Sequence, residues 1–107
     1  GGRVRITVFR VVGGAYTPET NRAGSVAEVV PYFPNHFIVP DRGASLGTFT
    51  DMTIVPNNLS AFKMMGNHIS LQAAVWAKSE NYSEALLLND SGRLAETTSG
   101  NIFTVKG

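Results

Sequence analysis

Cysteine is absent from this 107-residue chain, which removes disulfides and thiolate metal sites and fits a reducing compartment, so a cytoplasmic setting is the default expectation. Histidine is scarce: neither His36 nor His68 has a second ligand at metal spacing, so no metal site is expected. No run of like charge occurs, and nine basic residues balance eight acidic ones to a formal +1. That distribution lacks the electrostatic footprint of a nucleic-acid binder. No apolar stretch approaches the ~20 residues a membrane span needs, and the N-terminus has neither an initiator Met nor a signal-like segment. The expectation is a chain neither secreted nor membrane-embedded. The Asn-x-Ser triplets at Asn58, Asn81 and Asn89 mean little without a secretory route. Phosphate-loop glycines, a nucleophile elbow and a paired-carboxylate signature are also missing.

What is present is 43% hydrophobic residues, enough for one small core and not for two. RVRITVFR at the N-terminus alternates basic residues with Val4, Ile6 and Val8, predicting a strand that Gly13 and Gly14 end. VAEVVPYF predicts a second strand, paired with or next to the first, which Pro31 confines to an edge or an end. From Pro34 to Pro56 prolines and glycines gather without a sustained period. A loop that long argues against one compact unit, so a linker is placed at residues 34–48, between residues 1–33 and 49–107.

GNHISLQAAVWAKSE, residues 66 to 80, is apolar almost all round and predicts a largely buried helix, with Asn81 as its stop. EALLLN and RLAET then flank Asp90-Ser91-Gly92 as a β-hairpin, and Asn101 to Val105 reads as a further short strand. The fold class is α/β or α+β.

Two residues invite chemistry. Lys63 lies just before the predicted helix, and Glu96 lies on the hairpin's second strand, in SGRLAETTSGNIF. Taken alone, Lys63 between Phe62 and Met64 is a lysine snorkelling over apolar surface, and Glu96 the solvent-facing member of an alternating strand. One chemistry needs such a pair: pyridoxal phosphate is held by a lysine as a Schiff base, and its ring is an electron sink only while a carboxylate keeps the pyridine nitrogen protonated.

EALLLNDSGRLAETTSGNIFTVKG resembles the signature segment of the class IV, fold-type IV pyridoxal-phosphate enzymes, among them branched-chain aminotransferases, D-amino-acid aminotransferases and aminodeoxychorismate lyase. Glu96, Thr98, Asn101, Ile102 and Phe103 fill its pattern in order. Lys63, followed by a small-residue turn and a helix, resembles the Schiff-base segment, and its separation from Glu96 is typical of the family. RVRITVFR resembles the strand ending the family's smaller domain, where an arginine meets the substrate carboxylate: Arg5 matches the branched-chain pattern and Arg10 the D-amino-acid one. His68 stands where branched-chain members often have a tyrosine that hydrogen-bonds the cofactor, and its imidazole can donate the same bond. Thr97 stands at the common glycine, and Thr97 and Thr98 suit the cofactor's flank.

The resemblance implies the end of a small N-terminal α/β domain (1–33), the linker (34–48) and the first part of a larger mixed-sheet, cofactor-binding domain (49–107). It implies pyridoxal 5'-phosphate as cofactor and an aminotransferase working by ping-pong kinetics between an amino acid, branched-chain-like, and a 2-oxo acid. A homodimeric parent is implied too. Elimination of the aminodeoxychorismate lyase type, or a catalytically silent homologous domain, stands as the alternative. The family is much longer, so the piece alone is expected to be inactive and to bind cofactor poorly, lacking most of the phosphate's charge-assisted partners.

Overall fold

A computed structural model describes residues 1–11, 13–33, 36, 38–39 and 41–107. Among them are five strands and one helix, in two sheets, and the chain divides into two compact units, residues 1–40 and 41–107.

The first unit is a two-stranded antiparallel ribbon. Strands β1 (Gly2–Arg10) and β2 (Ala23–Pro31) pair without a register break from Gly2 opposite Pro31 to Arg10 opposite Ala23. Alternation in β1 explains the pairing: directly opposed residues share a face, so Val4, Ile6 and Val8 sit together with Val29 and Ala27, while Arg3, Arg5 and Glu28 occupy the other face. The second strand begins earlier than its hydrophobic run, at Ala23, because Gly24 lies opposite Phe9 and lets the ladder continue under that ring. Pro31 is its last residue, as expected of a residue with no N–H to donate.

The second unit holds a three-stranded sheet in the order β3-β4-β5, with one helix packed on it. Strand β3 (Leu46–Ile54) runs parallel to β4 (Glu84–Asn89), and helix α1 (His68–Ser79) forms the crossover between them, since parallel neighbours need a long connection. Strand β5 (Leu94–Thr97) returns antiparallel to β4 through the Asp90–Arg93 turn. Gly92 takes φ of 72° there, and Asn89 accepts from Ser91 and Arg93 backbone N–H groups through its side chain. The hairpin is as the sequence predicts. The core is Phe49, Ala73, Ala77, Ala85 and Leu87, with Ile54, Ile69 and Trp76 packed against it.

Four expectations need correction or restriction. Strand β3 starts inside the stretch read as linker and as lacking a period. Its pairing with β4 is broken between Phe49 and Ile54, so its alternation is interrupted too. Of that linker, Pro34, Asn35, Phe37 and Pro40 lie outside the described residues. Helix α1 is not largely buried: Ala73 and Ala77 are, but Leu71 is 64% and Val75 65% exposed. Only one helix face meets the sheet, and alanine there lets the backbone approach closely. Asn81 ends the helix in a left-handed conformation (φ 63°), as a C-terminal stop should. Finally, Asn101 to Val105 is not a strand. The chain leaves β4 at a turn, no strand among the described residues runs alongside, and Phe103 and Val105 are exposed.

Candidate functional site

Lys63 sits in the irregular segment that joins β3 to α1. Asn57 starts that segment with a turn: its backbone N–H donates to Ser60 Oγ (2.8 Å), and its side chain accepts from Leu59 N–H (2.8 Å). Phe62 N–H donates to Leu59 O at 2.9 Å, and Lys63 follows, exposed, with no hydrogen bond or ion pair to any other described residue. Gly66, with φ of 88°, turns the chain into the helix, a conformation that disfavours any side chain bearing a Cβ.

Asn67 is the N-cap of α1. Its side-chain oxygen accepts the Ser70 N–H at 3.2 Å, satisfying one of the orphan donors of the first turn. The amide nitrogen of the same side chain donates to Glu96 Oε1 across a long 3.5 Å contact. The helix start and strand β5 therefore meet through Asn67. Glu96 is exposed and paired in register with Leu87 of β4. His68, the first helical residue, is exposed as well.

Beyond Glu96 the chain is tightly tied. Thr97 is 8% exposed, and its hydroxyl accepts from Gly100 N–H (2.8 Å) and donates to Gly100 O (2.9 Å). Thr98 donates through its hydroxyl to Glu84 Oε2 at 3.4 Å. Ser99 donates to the same carboxylate twice, from its hydroxyl to Oε1 and from its backbone N–H to Oε2 (3.4 Å). The Ser99 hydroxyl first, and then the Thr97 hydroxyl and the Ser99 and Gly100 N–H groups close by, hold the Glu84 carboxyl below the usual carboxylate range against a smaller opposing effect of burial.

The two arginines belong to the ribbon. Arg5 pairs with its cross-strand neighbour Glu28 at 3.8 Å, with both side chains more than half exposed. Arg10 donates through Nη1 to Thr20 O (3.2 Å) and to Asn21 Oδ1, and lines a cleft of about 260 Å³ with Gly13, Gly14 and Tyr16. Lys63, His68, Glu96, Thr97 and Thr98 thus lie in the second unit, and Arg5 and Arg10 in the first.

The profile of the amino-transferase class IV family matches residues 1–107. The chain belongs to the class IV aminotransferase family. The branched-chain-amino-acid aminotransferase-like protein 2 of Arabidopsis thaliana is similar to this chain, 29% identical over 106 residues, covering 97% of it. The chain spans only 19% of that relative's length. No solved structure matches it.

Sequence reasoning about this class IV chain overlooked Asn67 and Glu84. Asn67 had a local signal, an Asn directly before the first helical residue. Glu84 had none, since its partners lie across the hairpin and only strand pairing brings them together.

Proposed function

We propose that this chain is the part of a pyridoxal-phosphate-dependent aminotransferase that carries the Schiff-base lysine, Lys63, and the ring-nitrogen carboxylate, Glu96. The observation that carries this reading is Asn67, which caps the helix after the Lys63 segment and also reaches Glu96. Members of the family generally use pyridoxal 5'-phosphate, and the donor set here suits it. Lys63 presents an exposed amine with no competing carboxylate, and Glu96 has no cation bound to it among the described residues.

Lys63 would hold the cofactor covalently, Glu96 would accept its ring N–H, and His68, exposed at the start of α1, would donate to its phenolate oxygen. Bound there, the group supplies an electron sink for the negative charge left when the substrate α-carbon loses a proton. The Lys63 amine would carry that proton to and from the α-carbon as a general base and acid. The Asn67 amide donates to the same Glu96 carboxylate and so orients it toward the site. Thr97 acts through its backbone, its hydroxyl being committed to Gly100, while Thr98 flanks the site. Arg5 and Arg10, on the ribbon, are the arginines that the family resemblance offers for the substrate carboxylate.

The substrates in this reading are a branched-chain-like amino acid and a 2-oxo acid, supported by the family and by the Arabidopsis relative. A cytoplasmic homodimer is the setting proposed, on the cysteine-free composition and the family resemblance.

The test is borohydride reduction of the intact protein after incubation with pyridoxal phosphate, followed by peptide mapping. A reduced adduct on Lys63, lost in Lys63→Ala, is expected. A folded protein that yields none refutes the reading, and product analysis on a protein that does yield it separates amino transfer from elimination.

A further inference from the structure

We propose that Glu84 is a positioning residue for Glu96, bracing the turn that follows it. This rests on the cofactor role of Glu96 proposed above. The ladder between β4 and β5 runs from Leu88 opposite Leu94 to Leu86 opposite Thr97, with Glu96 opposite Leu87 and a register shift just before it, at Ala95. Past Thr97 the Thr98 N–H still donates to Ala85 O at 3.2 Å, and then the strand geometry is lost. Glu84, next along β4, takes over there with side-chain bonds. Its carboxylate collects the Ser99 N–H, the Ser99 hydroxyl and the Thr98 hydroxyl, while Thr97 closes onto both polar groups of Gly100.

Three consequences follow from that geometry. The residues directly after Glu96 are tied at Ala85, at Glu84 and within the turn, so the backbone that carries the Glu96 carboxylate is held from its C-terminal side, where the register shift at Ala95 leaves its other side less regular. Asn67 contacts that carboxylate from the start of helix α1. The Ser99 and Gly100 N–H groups are already spent on Glu84 and Thr97, so this turn serves the site by holding Glu96 and not as a nest of free donors for an anion. Finally, Glu84 has no basic partner among the described residues. Its charge is matched by hydroxyl and amide donors, which form stronger bonds to an ionised acceptor than to a neutral one. The depressed carboxyl of Glu84 agrees with an ionised brace at neutral pH.

The test compares the intact parent protein with Glu84→Gln, which keeps size and one acceptor oxygen, and with Glu84→Ala. In cofactor-free protein, hydrogen–deuterium exchange of peptides covering residues 94–101 should quicken about tenfold in Glu84→Ala and less in Glu84→Gln, given the strength of bonds to a charged group. Peptides from helix α1 should not change. In cofactor-loaded protein, kcat should fall by about tenfold in Glu84→Ala with KM within about twofold, and Glu84→Gln should recover part of the loss, because the misplaced group would act on the reacting centre and not on ground-state binding. Unchanged exchange at 94–101 in both variants would overturn the brace. Faster exchange with unchanged kcat would overturn the positioning role and leave a structural turn. Absence of a Lys63 adduct in the parent would overturn the cofactor reading itself, whereas an adduct in the parent with equal turnover in all three proteins would overturn this inference alone.

Discussion

Gly47 offers a sharp test of how helix α1 is held against the sheet. It lies on β3 beneath two aromatic rings, and a Cβ added there would fall 2.8 Å from Trp76 Cη2 and closer still to the Tyr82 ring. Those rings stack on each other with centroids 5.7 Å apart, and Trp76 also packs on Phe49 at 5.6 Å. The intruding methyl must push rings that the buried Phe49 backs on one side, while Tyr82, 40% exposed, can yield outward. Overpacking of this kind costs roughly 1–3 kcal/mol, and the partial freedom of Tyr82 places Gly47→Ala near the middle, at about 2 kcal/mol. In a unit of this size that lowers Tm by roughly 8–16 °C. Trp76 is the only tryptophan, so its fluorescence reads the site directly during thermal or urea unfolding. Gly43→Ala is the control: nothing lies within 4 Å of its added Cβ, and the change should be neutral or stabilising by up to about 1 kcal/mol. Equal stabilities for the two variants would refute the packing argument.

Glu84 makes stability depend on pH with a definite sign. Its folded pKa lies below the ordinary value, so its contribution is present above about pH 4.3 and is lost as pH falls through the folded pKa. Urea midpoints between pH 6 and 3 should therefore fall less steeply for Glu84→Gln than for the parent, and parallel curves would contradict the brace. Leu87→Ala empties a fully buried position and should cost about 2–5 kcal/mol, enough to unfold residues 41–107 at room temperature by circular dichroism. Asn67→Ala should cost about 0.5–2 kcal/mol as a lost N-cap. Asn67→Ser should keep most of that stability while removing the donor to Glu96, and so separates the cap from the site by stability against cofactor affinity.

How much of this could be read in advance depended on how local the signal was. Strand β1 declares itself because its alternation is unbroken, the hairpin because Gly92 takes the left-handed place in its turn, and the helix end because Asn81 does the same there. Strand β3 escaped detection because its ladder to β4 breaks between Phe49 and Ile54, and the alternation breaks with it. Asn101 to Val105 misled in the opposite sense: its Ile, Phe and Val have strand propensity, but β structure needs a neighbour to pair with. The sequence predicts the helix close to its observed bounds but not its partial burial, since an apolar composition does not say how many faces are covered.

The sequence by itself determined the family, through a motif that runs from Glu96 to Phe103 and a lysine at a fitting distance, because covalent spacing along a chain is written in the chain. It also determined where the backbone must turn. The tertiary structure alone decided that helix α1 delivers Asn67 to Glu96, and that Glu84 closes on Thr98 and Ser99 across the hairpin. Those contacts join residues far apart along the chain, and only the parallel crossover and the register of β4 with β5 bring them within hydrogen-bonding reach.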